Sequence, residues 1–273
     1  MLVSLKEVLE FAAKKSCAIG AFNVSNFESA EAIIGAAEET GMPVILNYAE
    51  VHSPYMTIDI ASEVMLYFAK KATVPVVVHL DHGASFESCV RAVRLGFTSV
   101  MIDASALSYE DNLAVTIETV KMAHSAGVTV EAELGSISAD TSSYTDPDLA
   151  KEFVEKTGVD ALAVAFGTSH GVYTVKPVLD LNRITEIRKK IDTPLVMHGG
   201  SGLSADEFRT AIKNGIRKVN YYTYMTLAGG SAVKEAMDKV SADDNIFFHD
   251  IPLIAIKAMK EDVKKAIETF SMK

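Results

Sequence analysis

No apolar run in this sequence reaches eighteen residues, so no membrane-spanning helix is written into it. Cysteine occurs only as Cys17 and Cys89, which excludes a disulfide framework and a paired-cysteine metal knuckle and fits a reducing, cytoplasmic setting. Basic residues are in deficit: 26 Lys and Arg stand against 36 Asp and Glu, a formal charge of −10. The one basic cluster, Arg188-Lys189-Lys190, ends a predicted helix, where it complements the dipole. Without a basic face, nucleic acid is not expected as a partner. A local pocket or a metal inside an acidic protein can still hold a small anion. Linkers rich in Pro, Gly or Ser are missing too, so residues 1–273 are expected to form one domain. The opening stretch MLVSLKEVLEFAAKK places Glu7 and Glu10 within apolar spacing, which reads as an amphipathic helix rather than a signal peptide.

Apolar residues, by contrast, are present in the ordinary proportion for a globular chain, 49% against 23% charged. They gather in eight short runs, at 17–24, 42–50, 74–83, 97–105, 128–135, 160–167, 193–202 and 216–222. Amphipathic stretches lie between them, several closed by a glycine suited to a helix C′ position: Gly41, Gly96, Gly127, Gly158 and Gly215. Strands that are apolar on both faces and alternate with helices make a parallel sheet covered by helices. Eight such units predict an α/β fold, a single (β/α)8 TIM barrel. The N-terminal helix is expected to cap one end, with a C-terminal helical extension over 246–273.

Chemistry in such a barrel gathers where the strands end. Polar residues fall there in every unit: Asn23; Asn47 and Glu50; His79, Asp81 and His82; Asp103; Glu131 and Glu133; Thr168, Ser169 and His170; His198; Asn220 and Thr223. His82, His170 and His198, on three strand ends, suit a Zn²⁺ site with one position open, and Glu133 is a fourth or alternative ligand. His79 reads as a supporting residue, and His52, His124 and His249 as structural histidines. Gly199-Gly200-Ser201-Gly202 and the span Asn220-Tyr221-Tyr222-Thr223 fall where barrels bind phosphate through backbone amides and a helix N-terminus. Ser204 and Glu207 form a capping box that starts the next helix.

The motifs HLDHG (79–83), EAELG (131–135), SHGVY (169–173), HGGSG (198–202) and VN-x-x-T (219–223) together resemble the class II ketose-bisphosphate aldolases, the zinc-dependent fructose- and tagatose-bisphosphate type. The likeness runs in order from Ala21-Phe22-Asn23-Val24 to about residue 225. It implies one catalytic zinc ion, with room for a second or a monovalent cation. It also implies reversible cleavage of a phosphorylated sugar into dihydroxyacetone phosphate and an aldehyde through a metal-stabilised enediolate. By resemblance His82, His170 and His198 are the zinc ligands, with Glu133 a metal-binding glutamate, and Asp81 transfers the C4 hydroxyl proton. Gly171, Gly199, Gly200, Ser201 and Asn220 to Thr223 hold the dihydroxyacetone phosphate end, with Asn23 and Asp103 close by. A homodimer or homotetramer is the expected assembly.

This chain departs from the family pattern in places. The loop ELGSISADTSSYTDP is short and carries Asp140 as its only carboxylate before Asp146, so Asp140 is the candidate for the C3 proton and Glu50 the next. Ala49 replaces the usual Ser or Thr, and Thr174 stands where a basic residue is common, which weighs against a second phosphate. No lysine sits at a strand end, which argues against Schiff-base chemistry. Two alternatives stand beside this reading. A metal-dependent hydrolase on the same fold would need an HxH pair after the first strand, where only Asn23 stands. A non-catalytic sugar-phosphate-binding subunit would be separated by its metal content.

Overall fold

The computed structural model describes residues 1–137, 144–173, 176–241 and 245–273. Eight parallel strands pair in chain order: β1 (Ile19–Asn23), β2 (Val44–Ala49), β3 (Val76–Gly83), β4 (Ser99–Ile102), β5 (Thr129–Leu134), β6 (Ala161–Val164), β7 (Leu195–Met197) and β8 (Ile216–Tyr221). β8 returns to β1, Ile19 lying opposite Lys218, so the barrel is closed. The fold is the expected TIM barrel. Each strand is followed by a helix: α2 (Phe27–Thr40), α3 (Ile58–Lys71), α4 (Phe86–Arg94), α5 (Tyr109–Ser125), α6 (Pro147–Thr157), α7 (Leu181–Arg188), α8 (Ala205–Asn214) and α9 (Thr223–Met237). These helices cover the outer face and side chains fill the inner one, which is why β1, β2, β4, β5, β6 and β7 are buried along their whole length.

Local chemistry sets the boundaries. Ser4 with Glu7 and Ser204 with Glu207 both close capping boxes, starting α1 (Leu5–Lys15) and α8. Gly41 and Gly158 take the left-handed conformation that ends α2 and α6. Leu2 bridges Val76, the first residue of β3, and this lays α1 across the end where the strands begin. That end is sealed, so the opposite end is the mouth. The C-terminal extension is α10 (Ile251–Phe270), and it is integral to the core. Phe270 is fully buried against the rings of Phe22, Phe208 and Tyr221, and Ala18 N–H donates to its carbonyl.

The barrel interior is not wholly apolar. Lys218, Glu131, His79 and Ser99 are fully buried within it. Lys218 lies inside β8, so it carried no end-of-strand signal. Among the described residues no helix is long and apolar enough to cross a membrane, and both cysteines are free and buried.

Candidate active site

A cavity of about 750 Å³ opens at the mouth. Asn23, Asp81, His82, Asp103, Glu133, His170, Gly171, Gly199, Gly200, Ser201, Asn220, Tyr221, Tyr222 and Thr223, the candidates named above, all line it. His198 is fully buried at its edge, with Nδ1 2.9 Å from His82 Nε2. Asp140 lies outside the described residues.

Asp81, at the end of β3, is 3% exposed yet well supplied with donors. Asn23 Nδ2 donates to its Oδ2 and Asn220 Nδ2 to its Oδ1, each at 2.9 Å. Burial alone would raise its carboxyl, but the imidazoles of His82 and His198 and the Lys218 ammonium hold it well below the usual range. Asp81 is therefore a fixed carboxylate whose two oxygens keep one orientation. Asn23 and Asn220, named above beside the substrate, spend their amide donors on this carboxylate.

The next residue is strained. His82 is a non-glycine residue with φ 48°, at the point where the β3–β4 register shifts between Leu80 and Gly83. Its Nδ1–H donates to Asp103 Oδ2 at 2.7 Å, which leaves Nε2 as the nitrogen turned toward His198. His198 Nε2–H donates to Glu131 Oε1 at 2.9 Å, which leaves Nδ1 to pair with His82 Nε2 at 2.9 Å. Each carboxylate thus selects a tautomer and aims a lone pair, the arrangement that supports metal-binding histidines. His82, His170 and His198 each present a nitrogen, all within 4.8 Å of one another. His82, Asp103 and Glu133 form a second such group.

Electrostatics favour a cation here. Burial disfavours charge on His82, but Asp81, Asp103 and Glu133 outweigh it and raise the imidazole to about 9. What attracts a proton to this ring attracts a metal ion to the same lone pair. Burial also pushes Glu133 up to about 8, and its Oε2 is buried with no partner among the described residues. An orphaned carboxylate oxygen beside His82, itself one of three converging imidazoles, fits a divalent ion in the zinc class.

Beneath the histidines lies the ion pair inside the barrel. Lys218 Nζ donates to Glu131 Oε2 at 2.7 Å, and both side chains have no solvent exposure. Burial opposes the Glu131 charge, while Lys218, His198 and His79 bring its carboxyl down to about 2. Burial and Lys218 push His79 down to about 3, so it is neutral, with Nδ1 2.8 Å from Ser99 Oγ. An ammonium locked on a buried carboxylate and absent from the cavity wall is no Schiff-base nucleophile. Lys218→Met is expected to cost about 3–5 kcal/mol in denaturant titration, because it strands a buried carboxylate. The double variant Lys218→Met/Glu131→Leu should cost less than the sum of the two singles. Additive effects would show that the pair is not coupled.

The loops after β6, β7 and β8 build the opposite wall. Gly199 has φ 65°, and a Cβ there would stand 2.6 Å from the Ser169 backbone, so only glycine lets the two loops meet. Tyr173 ties them, accepting from Ser169 N–H and donating to the Gly199 carbonyl at 2.6 Å. Tyr222 N–H donates to Ser201 Oγ, and α9 begins at Thr223 without a side-chain cap, leaving its first amides open to an anion.

Two residues stand differently from expectation. Glu50 lines the cavity, but Oε2 accepts from Ala84 N–H and Oε1 from the Ser88 hydroxyl, each at 2.8 Å. It ties β2 to the start of α4. His52, expected to be structural, lies in the cavity wall at 8% exposure with its ring 4.5 Å from that of Tyr222. Its neighbours Val51 and Ser53 gave no motif to single it out; only its packing against Tyr222, after β8, reveals it.

A closed barrel whose mouth gathers histidines, fixed carboxylates and uncapped helix amides has the architecture of a TIM-barrel enzyme. The chain matches the family described as "Fructose-bisphosphate aldolase class-II" over residues 3–273. It belongs to that family and is an aldolase, a carbon–carbon lyase. It is 43% identical over 247 residues to a probable fructose-bisphosphate aldolase of Bacillus subtilis, covering 86% of each chain. A fructose-bisphosphate aldolase of Staphylococcus aureus is 41% identical, with 98% of this chain and 97% of the relative covered. Among solved structures, the YdjI aldolase of Escherichia coli K12 superposes with a TM-score of 0.90 at 41% identity, over 99% of this chain and 97% of the other. A putative fructose-1,6-biphosphate aldolase of Coccidioides immitis gives 0.86 at 28% identity, over 97% and 95%.

Proposed function

We propose that this aldolase is zinc-dependent and reversibly cleaves a ketose 1-phosphate or ketose bisphosphate into dihydroxyacetone phosphate and an aldehyde. One observation carries the reading: three imidazole nitrogens converge within 4.8 Å, two with tautomers set by Asp103 and Glu131. The names of the relatives support the substrate class. His82, His170 and His198 would hold the metal, with Glu133 as the adjoining carboxylate. Zinc, when bound, supplies Lewis-acid stabilisation of the negative charge that develops on the ketone oxygen.

The protein's own groups do the rest. Asp81 is the base that removes the C4 hydroxyl proton in cleavage and returns it in the aldol direction. The Asn23 and Asn220 amides keep its oxygens in place for both steps. The Ser201 loop and the first amides of α9 hold the phosphate. Asp140 is the proposed carrier of the C3 proton of dihydroxyacetone phosphate. Prolonged chelation is expected to abolish cleavage, and Zn²⁺ or Co²⁺ to restore it. Trapping of a covalent substrate adduct by borohydride, or full activity in the chelated protein, would overturn the proposal.

A further inference from the structure

The cavity has a conspicuous charge pattern. Among the described residues lining it, Glu50, Asp81, Asp103 and Glu133 are acidic and none is Lys or Arg. The residues at 138–143, 174–175 and 242–244 include no Lys or Arg either. Lys176 is 79% exposed and paired with Glu207 at 3.2 Å, outside the cavity wall. One phosphate is provided for by neutral backbone donors on the β7–β8 side. A second meets no Lys or Arg among the described lining residues of this chain.

The far end of the sugar must lie elsewhere. With phosphate at the β7–β8 loops and C4 beside Asp81 on β3, two walls remain: that of β1 and β2, with Asn23, Ala49, Glu50, Val51 and His52, and that after β3 to β5, with Ala84, Ser105, Ser136 and Ile137. On the second, the Ala84 N–H is donated to Glu50 and the Ser105 hydroxyl to Asp103, so the first is the one to search for an open donor. Asn23 Nδ2 already donates to Asp81, Ala49 offers a methyl group, and Glu50 is an acceptor whose oxygens each already take one hydrogen bond. His52 is different. Among the described residues neither of its ring nitrogens has a hydrogen-bond partner, and Nδ1 is sealed from solvent, which leaves Nε2 as the nitrogen facing the cavity. Burial lowers its basicity, so the ring is neutral. A proton on Nε2 avoids stranding a buried N–H on the sealed side, where an unpaired acceptor is better tolerated. The Tyr222 ring packed on it holds that donor in place.

We propose that this aldolase selects a ketose 1-phosphate whose far end carries no second phosphate, and that His52 Nε2–H is the donor that reads the uncharged, oxygen-bearing end. The inference rests on the dihydroxyacetone phosphate reading above. A terminal phosphate would bring about two negative charges against Glu50 with one neutral donor in return, a repulsion that discriminates as well as any attractive contact.

The zinc-loaded full chain is tested with dihydroxyacetone phosphate and either D-glyceraldehyde or D-glyceraldehyde 3-phosphate as acceptor. The ratio of kcat/KM is expected to favour the unphosphorylated aldehyde by about tenfold or more, equivalent to roughly 1.4 kcal/mol. His52→Arg should move that ratio toward the phosphorylated aldehyde by about tenfold, and His52→Ala should lower kcat/KM for D-glyceraldehyde. A wild-type preference for the phosphorylated aldehyde overturns the proposal, as does a ratio that neither variant moves. Should the variants fail to fold, the wild-type ratio decides alone. Deuterium exchange from solvent into dihydroxyacetone phosphate, run without aldehyde, separates the two readings. No exchange in the zinc-loaded protein refutes the function on which the inference rests. Exchange without condensation of either aldehyde refutes the inference alone.

Discussion

His198→Ala is expected to lose bound metal and turnover together. The side chain has no solvent exposure, and Glu131 leaves its Nδ1 as the nitrogen directed at His82. Removing it deletes one of three converging donors, and Asn220 Nδ2, 3.4 Å from its Nε2, is a hydrogen-bond donor that cannot take its place. Metal content after gentle purification should fall from one equivalent toward zero, and cleavage to background. Glu131→Gln provides the graded control. It keeps the imidazole but weakens the group that orients it, so metal affinity should fall by about 10- to 100-fold, with activity restored by excess zinc. A folded His198→Ala protein that retains both metal and full turnover would falsify the ligand assignment.

The second large effect concerns Asp81. Asp81→Ala should retain metal and lose turnover by about 10²- to 10⁴-fold, the usual contribution of a positioned acid–base group. The reason is geometric as well as chemical. Two amide donors fix the carboxylate oxygens, and neighbouring positive charge keeps it ionised, so its removal deletes an organised base rather than a mobile one. Dihydroxyacetone phosphate exchange, which does not involve the C4 oxygen, should be affected far less than cleavage. Near-normal cleavage with metal bound would mean that another group moves the C4 proton. Asn23→Ala, which frees one oxygen of Asp81, should produce an intermediate loss in kcat.

Much of the fold was legible because its signals are local. Strand runs that are apolar on both faces, Ser204–Glu207 and glycine stops such as Gly41 depend only on residues close in the chain, and each appears where expected. The candidate site was legible for a related reason. In a parallel barrel every strand end reaches the same mouth, so His82, His170 and His198 could be placed together without knowing any contact.

The partners of those residues were not legible. Asp103, expected beside the substrate, orients His82, and Glu131 orients His198 through a contact spanning 67 residues. The extension after residue 246 shows helical spacing by itself, yet its burial depends on Phe270 meeting Phe22, Phe208 and Tyr221.

By itself, then, the sequence determined the eight-fold alternation, the end of the barrel where the candidate residues meet and the histidines gathered there, because period, capping and strand polarity are properties of neighbouring residues. Only the tertiary structure decided that Lys218 is a buried counter-ion and Glu50 a tie between loops, and that His52 faces the cavity. Each of those outcomes depends on what a side chain meets across the barrel. A lysine in a strand or a histidine after one has the same local pattern whether it ends in water, on a carboxylate or against a substrate.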